Sequence, residues 1–273
     1  MVRHEIIEEA IACLEKAISR HPSVVVAFSG GVDSSLLAFI ANRCTKTLAA
    51  IADSPTLPRR DLADAITFAK KYSIRYKVFQ PQEMLDANYL ANTSDRCHHC
   101  KREMYGKMRA LANELGYETM MDGTNTEDRK EVRPGLRAAK EMGLLFPFIE
   151  AGLSKQMIRE MSRHLGLQTW DRTSSPCLSS RIPTGTRITP DALARIEKAE
   201  EALRSVGFRI VRARDHFPET RLELDTIDLE KVRKVADRLR SLGYERVLVS
   251  KRGYVEPQKR SKYKGKKEEF YEA

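Results

Sequence analysis

The chain has 273 residues, of which 41% are hydrophobic and 32% are charged, and its formal net charge at pH 7 is +10. No apolar run approaches the roughly 20 residues of a membrane span, and the N-terminal segment lacks the apolar region of a signal peptide. These features predict a cytoplasmic protein with no membrane partner. The basic charge favours anionic partners, either nucleic acid or phosphorylated small molecules.

The first predicted strand ends in a glycine loop. Residues 24–28 form an apolar run, and Ser29-Gly30-Gly31 separates it from a helix predicted over 33–43. In such a loop several backbone N–H groups point to one place and the helix dipole adds positive charge, which makes an anion site. The sequence lacks both the Walker A lysine and the Gly-x-Gly-x-x-Gly fingerprint. The alternative is a tight turn with a serine N-cap.

Further strands are predicted over 47–52, 74–79 and 118–121, and helices over 58–72 and from about His98 to Leu115. This alternation predicts an α/β fold with a doubly wound parallel sheet. Ligands of such sheets bind beyond the carboxyl ends of the strands. Two polar segments lie there, "ADSPTLPRRDL" over 52–62 and "MMDGTNTEDRKEVRPG" over 120–135. The second is alternatively a polar turn that leads into a helix begun near Pro134.

Five cysteines, an odd number, argue against a disulfide framework in a cytoplasmic protein. Cys13 and Cys44 lie in apolar helical contexts, which favours core positions. Cys97 and Cys100 form a Cys-x-x-Cys turn at the start of the long helix, where the helix dipole stabilises thiolates. The candidate sites are a zinc knuckle completed by histidine, a redox dithiol, and an iron–sulfur cluster completed by Cys177, and the alternative is that these are unrelated free cysteines.

After Arg181 the pattern changes to helix, strand, strand, helix and strand, with the helices over 190–207 and 228–242 and the last strand over 245–250. This order predicts a smaller α+β domain. We place the first domain at 1–180, the second at 181–255 and a basic tail at 256–273. The basic composition of the tail predicts a solvated chain end.

Ser-Gly-Gly-Val-Asp-Ser-Ser after a hydrophobic strand resembles the signature of the PP-loop ATP pyrophosphatases. Together with "DGTNTEDRKEVRPG" and "SPCLSSRIPTG", it resembles the LarE family over nearly the whole chain. The resemblance implies a sulfur transferase that adenylates the carboxylates of pyridinium-3,5-biscarboxylic acid mononucleotide and makes the thiocarboxylates of the nickel-pincer nucleotide, the lactate racemase cofactor. It also implies a homohexamer and a small sulfide donor.

The family has two forms. One carries a single cysteine, matching Cys177, which gives up its own sulfur and becomes dehydroalanine. The other has three cysteines that hold a [4Fe-4S] cluster. Because Cys97, Cys100 and Cys177 are all present here, the resemblance implies the cluster form, with ATP and Mg2+ as the other cofactors.

The family motifs assign most of the remaining residues. The implied ATP-binding residues are Ser29, Gly30, Gly31, Asp33, Ser34, Ser35, Gly123, Thr124, Asn125 and Arg133, with Asp128 on Mg2+. Asp53 and Ser54 are added to the ATP site because they follow the second predicted strand, where they are expected to face the nucleoside. The implied substrate-binding residues are Lys101, Ser180, Arg181, Arg212, Arg214 and Glu223, with solvated alternation on an exposed sheet face as the alternative for the last three. The rival functions are tRNA thiolation and a nucleotide-binding regulatory module, but no flanking zinc-finger cysteine pairs or obvious RNA-binding domain support nucleic acid as a partner.

Overall fold

The computed structural model describes residues 2–128, 134–255 and 267–273. The chain divides into two compact units, Met1–Ser175 and Pro176–Ala273. The predicted boundary near residue 180 lies a few residues beyond this division. None of the helices within the described ranges combines the length and apolar character that a membrane crossing requires.

The N-terminal unit contains a four-stranded parallel sheet with the strand order β3-β2-β1-β4. Its strands are β1 Ser23–Ala27, β2 Lys46–Ala52, β3 Tyr76–Phe79 and β4 Thr119–Met121. Its helices are α1 Val2–Ile18, α2 Val32–Cys44, α3 Arg59–Lys71, α4 Ala87–Leu90, α5 Arg96–Glu114, α6 Pro134–Glu141, α7 Pro147–Glu150 and α8 Lys155–His164. The predicted α/β class and parallel sheet are confirmed.

Helices cover both faces of this sheet. Successive side chains of a strand point to opposite faces, so neighbouring residues of β1 belong to different core clusters. Val24 and Val26 of β1 belong to a core cluster that includes residues of α1, α2 and α8, whereas Val25 belongs to a second cluster with residues of α5. Buried residues at Ile7 and Ile11 show the helical spacing of the apolar stripe on α1. Because β1 and β4 are paired in parallel, their carboxyl ends lie side by side at the same end of the sheet.

The C-terminal unit contains a mixed four-stranded sheet with the order β5-β6-β7-β8, in which only the β6–β7 pair is parallel. Its elements are α9 Pro190–Ser205, β5 Val211–His216, β6 Glu219–Leu224, α10 Leu229–Arg233, α11 Ala236–Ser241, β7 Arg246–Ser250 and β8 Phe270–Glu272. The single helix predicted over 228–242 is therefore two helices. Residues 270–272 of the predicted solvated tail instead form β8, which pairs with β7.

Candidate active site

The glycine loop joins β1 to α2 and is held in shape by its own serines. The backbone N–H of Ser29 donates to Oγ of Ser34 at 3.2 Å, and the two serine hydroxyls lie 3.1 Å apart. Gly30 has a φ of +70°, which favours glycine, and a Cβ there would lie 3.0 Å from Cα of Ala65. The loop therefore requires glycine at position 30 for both conformation and space.

The first turn of α2 fits an anion. Gly31 is the N-cap residue, and no side chain caps the helix within the part of the chain that the structure describes. The Ser35 hydroxyl is fully buried and has no hydrogen-bond partner among the described residues. Because the first N–H groups of a helix need partners, this turn presents donors for a phosphate group.

The loop after β4 packs directly against the glycine loop. A Cβ on Gly123 would lie 3.1 Å from the backbone N of Ser34 and from the carbonyl carbon of Asp33. Asn125 is buried, and its Nδ2 donates to Oδ1 of Asp33 at 3.4 Å. The backbone N–H of Asn125 in turn donates to Oδ2 of Asp128 at 3.2 Å.

The predicted ATP site thus brings together residues from two strand ends. Oγ1 of Thr124 donates to Oδ1 of Asp122 at 2.5 Å, so its hydroxyl fixes the turn of the β4 loop. Arg133, predicted to pair with phosphate, lies outside the described residues. The ATP and Mg2+ roles of these residues stay predictions.

The pocket contains two cationic side chains, Lys155 and Arg172, that the sequence did not predict. The pocket is lined by Ser29, Gly31, Val32, Asp33, Leu57, Asp61, Lys155, Arg172, Thr173, Ser174 and Ser175. Lys155, the first residue of α8, forms an ion pair with Asp33 in which the two side chains are 28% and 25% exposed. The pair is therefore within reach of solvent and of a ligand.

Arg172 is engaged differently. One guanidinium nitrogen donates to the carbonyl oxygen of Gly30 at 3.1 Å, and the other donates to Asp61 at 2.8 Å and to Asp64 at 2.9 Å. Oγ of Ser175 also donates to Asp61, at 2.7 Å. Two carboxylates balance the charge of Arg172, so its direct effect is to tie the glycine loop to α3. Local sequence offered one signal for these two cations. The side chain of Ser154 caps the N-terminus of α8, which places Lys155 at the start of that helix.

Asp53 and Ser54 follow β2, as predicted, and both side chains have protein partners. Asp53 pairs with Arg59, and the Ser54 hydroxyl donates to the buried carboxylate of Glu83. Burial raises the pKa of Glu83, although the hydrogen bond from Ser54 opposes the shift. Oε2 of Glu83 has no hydrogen-bond partner among the described residues. Contact of Asp53 or Ser54 with a nucleoside stays a prediction.

The Cys-x-x-Cys motif lies in the first turns of α5, where Cys97 is exposed and Cys100 is half-buried. The histidines between them have other partners. Nε2 of His98 lies 2.7 Å from Glu141, and Nδ1 of His99 lies 3.7 Å from Asp86. These contacts favour cysteine ligands over histidine ligands at this turn.

Lys101 places its ammonium group 5.1 Å from the ring centroid of Tyr105, as in a cation–π contact. The Tyr105 hydroxyl donates to Asp122 at 2.8 Å, and burial, with the Asp122 charge second, raises the pKa of this phenol. Tyr105 therefore remains a neutral donor that connects α5 to the loop after β4. Substrate binding by Lys101 stays a prediction.

In the C-terminal unit, Arg181 holds the loop that carries Cys177. Its guanidinium is completely buried, pairs with Glu200 at 2.8 Å, and donates to the carbonyl oxygens of Pro176 at 2.5 Å and Cys177 at 3.1 Å. It also donates to Oγ of Ser180 at 3.0 Å. Substrate binding by Arg181 stays a prediction, and the observed contacts give it a role in positioning the loop.

Arg212, Arg214 and Glu223 lie on the paired strands β5 and β6. Arg214 forms two hydrogen bonds to Glu223, at 2.8 and 3.1 Å, and a third to the carbonyl oxygen of Ser180 at 2.6 Å. Arg212 is only 5% exposed. Burial lowers its pKa, and the nearby charge of Arg181 lowers the pKa further. The three residues therefore do not alternate on a solvated face, and substrate binding by them stays a prediction.

Comparison with known proteins assigns the glycine-loop unit to a class. The model of the NAD synthase family matches residues 6–114, which include the loop and the first three strands. An NH(3)-dependent NAD(+) synthetase of Hyperthermus butylicus is 28% identical over 238 residues, which cover 82% of this chain and 81% of that protein. With its parallel sheet, this unit is a PP-loop domain of the NAD synthase type.

Two further relatives cover most of the chain. An uncharacterized protein of Synechocystis sp. is 39% identical over 220 residues, 80% of this chain and 82% of that protein. The pyridinium-3,5-bisthiocarboxylic acid mononucleotide synthase of Lactiplantibacillus plantarum is 32% identical over 251 residues, 89% of this chain and 91% of that enzyme. The chain therefore belongs to the LarE family of ATP-dependent sulfurtransferases, as predicted, and the three-cysteine form stays a prediction.

Proposed function

We propose that this enzyme adenylates a carboxylate of pyridinium-3,5-biscarboxylic acid mononucleotide and then exchanges AMP for sulfur, giving the thiocarboxylates of the nickel-pincer nucleotide. The observation that carries the proposal is the 32% identity to the Lactiplantibacillus plantarum synthase over 251 residues. This match is too long to fit within either unit, so it includes parts of both.

The first step is adenylation. A substrate carboxylate oxygen attacks the α-phosphorus of ATP, the bond from that phosphorus to the bridging oxygen breaks, and pyrophosphate leaves. Negative charge grows on the phosphates, and preorganised cations and N–H donors lower the barrier. We assign pyrophosphate binding to the glycine loop, the first turn of α2 and Arg133.

We assign to Lys155 the role of a cation that changes its partner during this step. Asp33 and Asp128 would hold the Mg2+ of MgATP, since this ion binds carboxylate oxygens. Lys155 then exchanges its Asp33 partner for a phosphate oxygen, because the pair is only partly buried. Arg172 keeps Asp61 and Asp64 as partners and holds the carbonyl of Gly30, so we assign it to positioning the loop.

The second step is sulfur insertion. A sulfur nucleophile adds to the carbonyl carbon of the acyl adenylate, and AMP leaves with the former carboxylate oxygen. We propose that Cys97, Cys100 and Cys177 hold a [4Fe-4S] cluster. Three cysteine ligands would leave one iron of the cluster without a protein ligand, and that iron could bind an external sulfide. The positions of Cys97 and Cys100, one helical turn apart at the start of α5, support this donor set.

Substrate binding is assigned to the C-terminal unit and to Lys101. Arg214 and the Ser180 loop, joined by their hydrogen bond, provide a cation and a hydroxyl for the substrate's phosphate or carboxylate. Glu223 orients Arg214, and Arg181 fixes the backbone around Cys177. Buried Arg212 adds positive charge behind them.

The net charge of +10 favours a second candidate, cluster-dependent thiolation of tRNA. That function requires RNA binding that weakens steeply with salt, because bound phosphates release counterions. A third possibility, sacrificial transfer from Cys177, uses the same adenylation chemistry and differs only in the source of sulfur.

The proposal is tested by anaerobic incubation of the protein with ATP, sulfide and the pyridinium substrate, followed by mass spectrometry of products and protein. We expect brown protein with about four irons per chain, multiple turnovers, and AMP, pyrophosphate and thiocarboxylate in equal amounts. The double variant Cys97→Ser/Cys100→Ser should lose colour and sulfur transfer but still release pyrophosphate.

The control variant Asp33→Asn should keep its iron and release no pyrophosphate. Colourless wild-type protein that still transfers sulfur, with the mass of one sulfur lost at Cys177, would select the sacrificial route. Turnover of tRNA with no conversion of the pyridinium nucleotide would overturn the proposed substrate.

A further inference from the structure

Three potential metal ligands lie together on the N-terminal unit, and none of them is among the residues that line the glycine-loop pocket. His4 and Glu8 of α1 and His164 of α8 each place one ligand atom within 4.8 Å of the other two. Within residues 2–128, 134–255 and 267–273, this is the one group of at least three His, Cys, Asp or Glu side chains that meets this distance.

Helix geometry explains why the three side chains meet. His4 and Glu8 are four residues apart and therefore lie on one face of α1. His164 is the last residue of α8, and this helix packs against α1. Buried Ile11 and Met161 belong to the same core cluster, so apolar packing holds the two helices together independently of the polar group.

The three side chains contact one another, with a hydrogen bond between His164 and Glu8. Nε2 of His164 lies 2.5 Å from Oε1 of Glu8, and the rings of His164 and His4 have centroids 4.7 Å apart. Ligand atoms about 2.1 Å from a tetrahedral metal are about 3.4 Å from one another. All three residues are exposed, so small side-chain rotations can reach this spacing without moving the backbone.

We propose that His4, Glu8 and His164 form a site for a divalent transition-metal ion that links α1 to α8. Two imidazoles and one carboxylate suit Zn2+, Ni2+, Co2+ or Cu2+, whereas Mg2+ and Ca2+ prefer oxygen ligands. Water fills the remaining coordination positions, since the group is exposed. The site is separate from the three cysteines of the proposed cluster.

The test is a Co2+ titration of the full chain carrying Cys97→Ser, Cys100→Ser and Cys177→Ser, which removes the competing thiolates of the proposed cluster. We expect one Co2+ per chain, visible bands without the intense near-ultraviolet band of a thiolate ligand, and a higher Tm. Glu8→Gln and His164→Gln in this background should each raise the Kd about tenfold or more.

Glu9→Gln is the matched control, because Glu9 is an exposed neighbour on the same helix outside the ligand group. It should leave the Kd unchanged. Unaltered Co2+ binding in both the Glu8→Gln and His164→Gln proteins, or no binding at millimolar Co2+, overturns the proposal. A thiolate band would assign the ion to Cys13 or Cys44 and would equally overturn it.

Discussion

The two units hold ion pairs of opposite character. In the N-terminal unit, Lys155 and Asp33 are 28% and 25% exposed and face the glycine-loop pocket. In the C-terminal unit, Arg181 and Glu200 are both 0% exposed. An exposed pair contributes little to stability and exchanges partners easily, whereas a buried pair is costly to break. The comparison separates a pair suited to ligand exchange from one that fixes the fold.

Breaking the buried pair should have the largest effect. Glu200 accepts hydrogen bonds from Arg181, Arg204 and the backbone of Ala213. Glu200→Gln leaves a buried guanidinium without its counter-charge, and we expect it to destabilise the C-terminal unit by about 3–5 kcal/mol. Urea unfolding followed by circular dichroism should show the loss.

The chain carries its own internal reference for this measurement. Trp170, the single tryptophan, lies in the N-terminal unit, so its fluorescence reports that unit. The fluorescence transition should stay unshifted while the circular dichroism transition of the C-terminal unit moves to lower urea. Arg204→Gln leaves the Arg181–Glu200 pair intact and should cost only about 0–1 kcal/mol. Equal shifts in the two variants would contradict a structural role for the buried pair.

The Glu200 pair also has a defined pH dependence. Burial alone would raise the pKa of Glu200, but the charge and hydrogen bonds of Arg181, together with the charges of Arg204 and Arg212, outweigh it, so the net pKa is lowered. Because the folded pKa is below the unfolded value, the stability from ionised Glu200 is present above the unfolded pKa and disappears as pH falls through the folded pKa.

The partly exposed Lys155–Asp33 pair should show the reverse pattern, with a large effect on activity and little on stability. Lys155→Ala removes the cation that we assign to the leaving pyrophosphate, so we expect pyrophosphate release to fall about 100-fold, as for loss of one electrostatic donor. The free energy of unfolding should change by less than about 1 kcal/mol. Lys155→Arg is the control and should retain most of the rate.

The same variant distinguishes a catalytic contact from a merely structural one. Unchanged pyrophosphate release in Lys155→Ala, or a loss of rate that follows a loss of folded protein, would remove Lys155 from the proposed mechanism. Thermal unfolding measured with and without MgATP separates the two outcomes, because ligand stabilisation should weaken in the variant while the apo Tm is unchanged.

Local sequence signals predicted the first unit well and its cations poorly. The apolar run and glycines around Gly31 mark β1, the loop and α2, because strand, turn and helix propensity act over a few neighbouring residues. The Lys155–Asp33 pair spans 122 residues, and Arg172 lies 142 residues from Gly30. Such contacts depend on tertiary packing, which no local pattern specifies.

The C-terminal unit shows the same limit in its backbone. The break between α10 and α11 was not predicted, since apolar spacing continues across 228–242. Strand β8 was assigned to a basic tail because the lysines before it dominate the composition. Its pairing with β7 depends on a partner far earlier in the chain. The motif around Cys177 predicted a functional cysteine, which stays a prediction, whereas no local pattern indicated the buried contact between Arg181 and Glu200.

The smallest predicted effect concerns Glu83, a buried carboxyl group for which the described part of the chain shows no ion pair. Glu83 is 1% exposed and accepts from Ser54, and burial is the main cause of its raised pKa. Here the folded pKa exceeds the unfolded value, so the folded state binds more protons between them and stability falls as pH rises through that window. Glu83→Gln should therefore raise Tm at pH 8 but not at pH 4, as measured by fluorescence of Trp170. Ser54→Ala is the control that removes the hydrogen bond and keeps the acid, and it should lower Tm at both pH values. A lower Tm of the Glu83→Gln protein at pH 8 would mean that ionised Glu83 is stabilised by a nearby positive charge. Glu83 would then resemble Glu200, and it would no longer serve as an example of a buried carboxylate without a counter-charge.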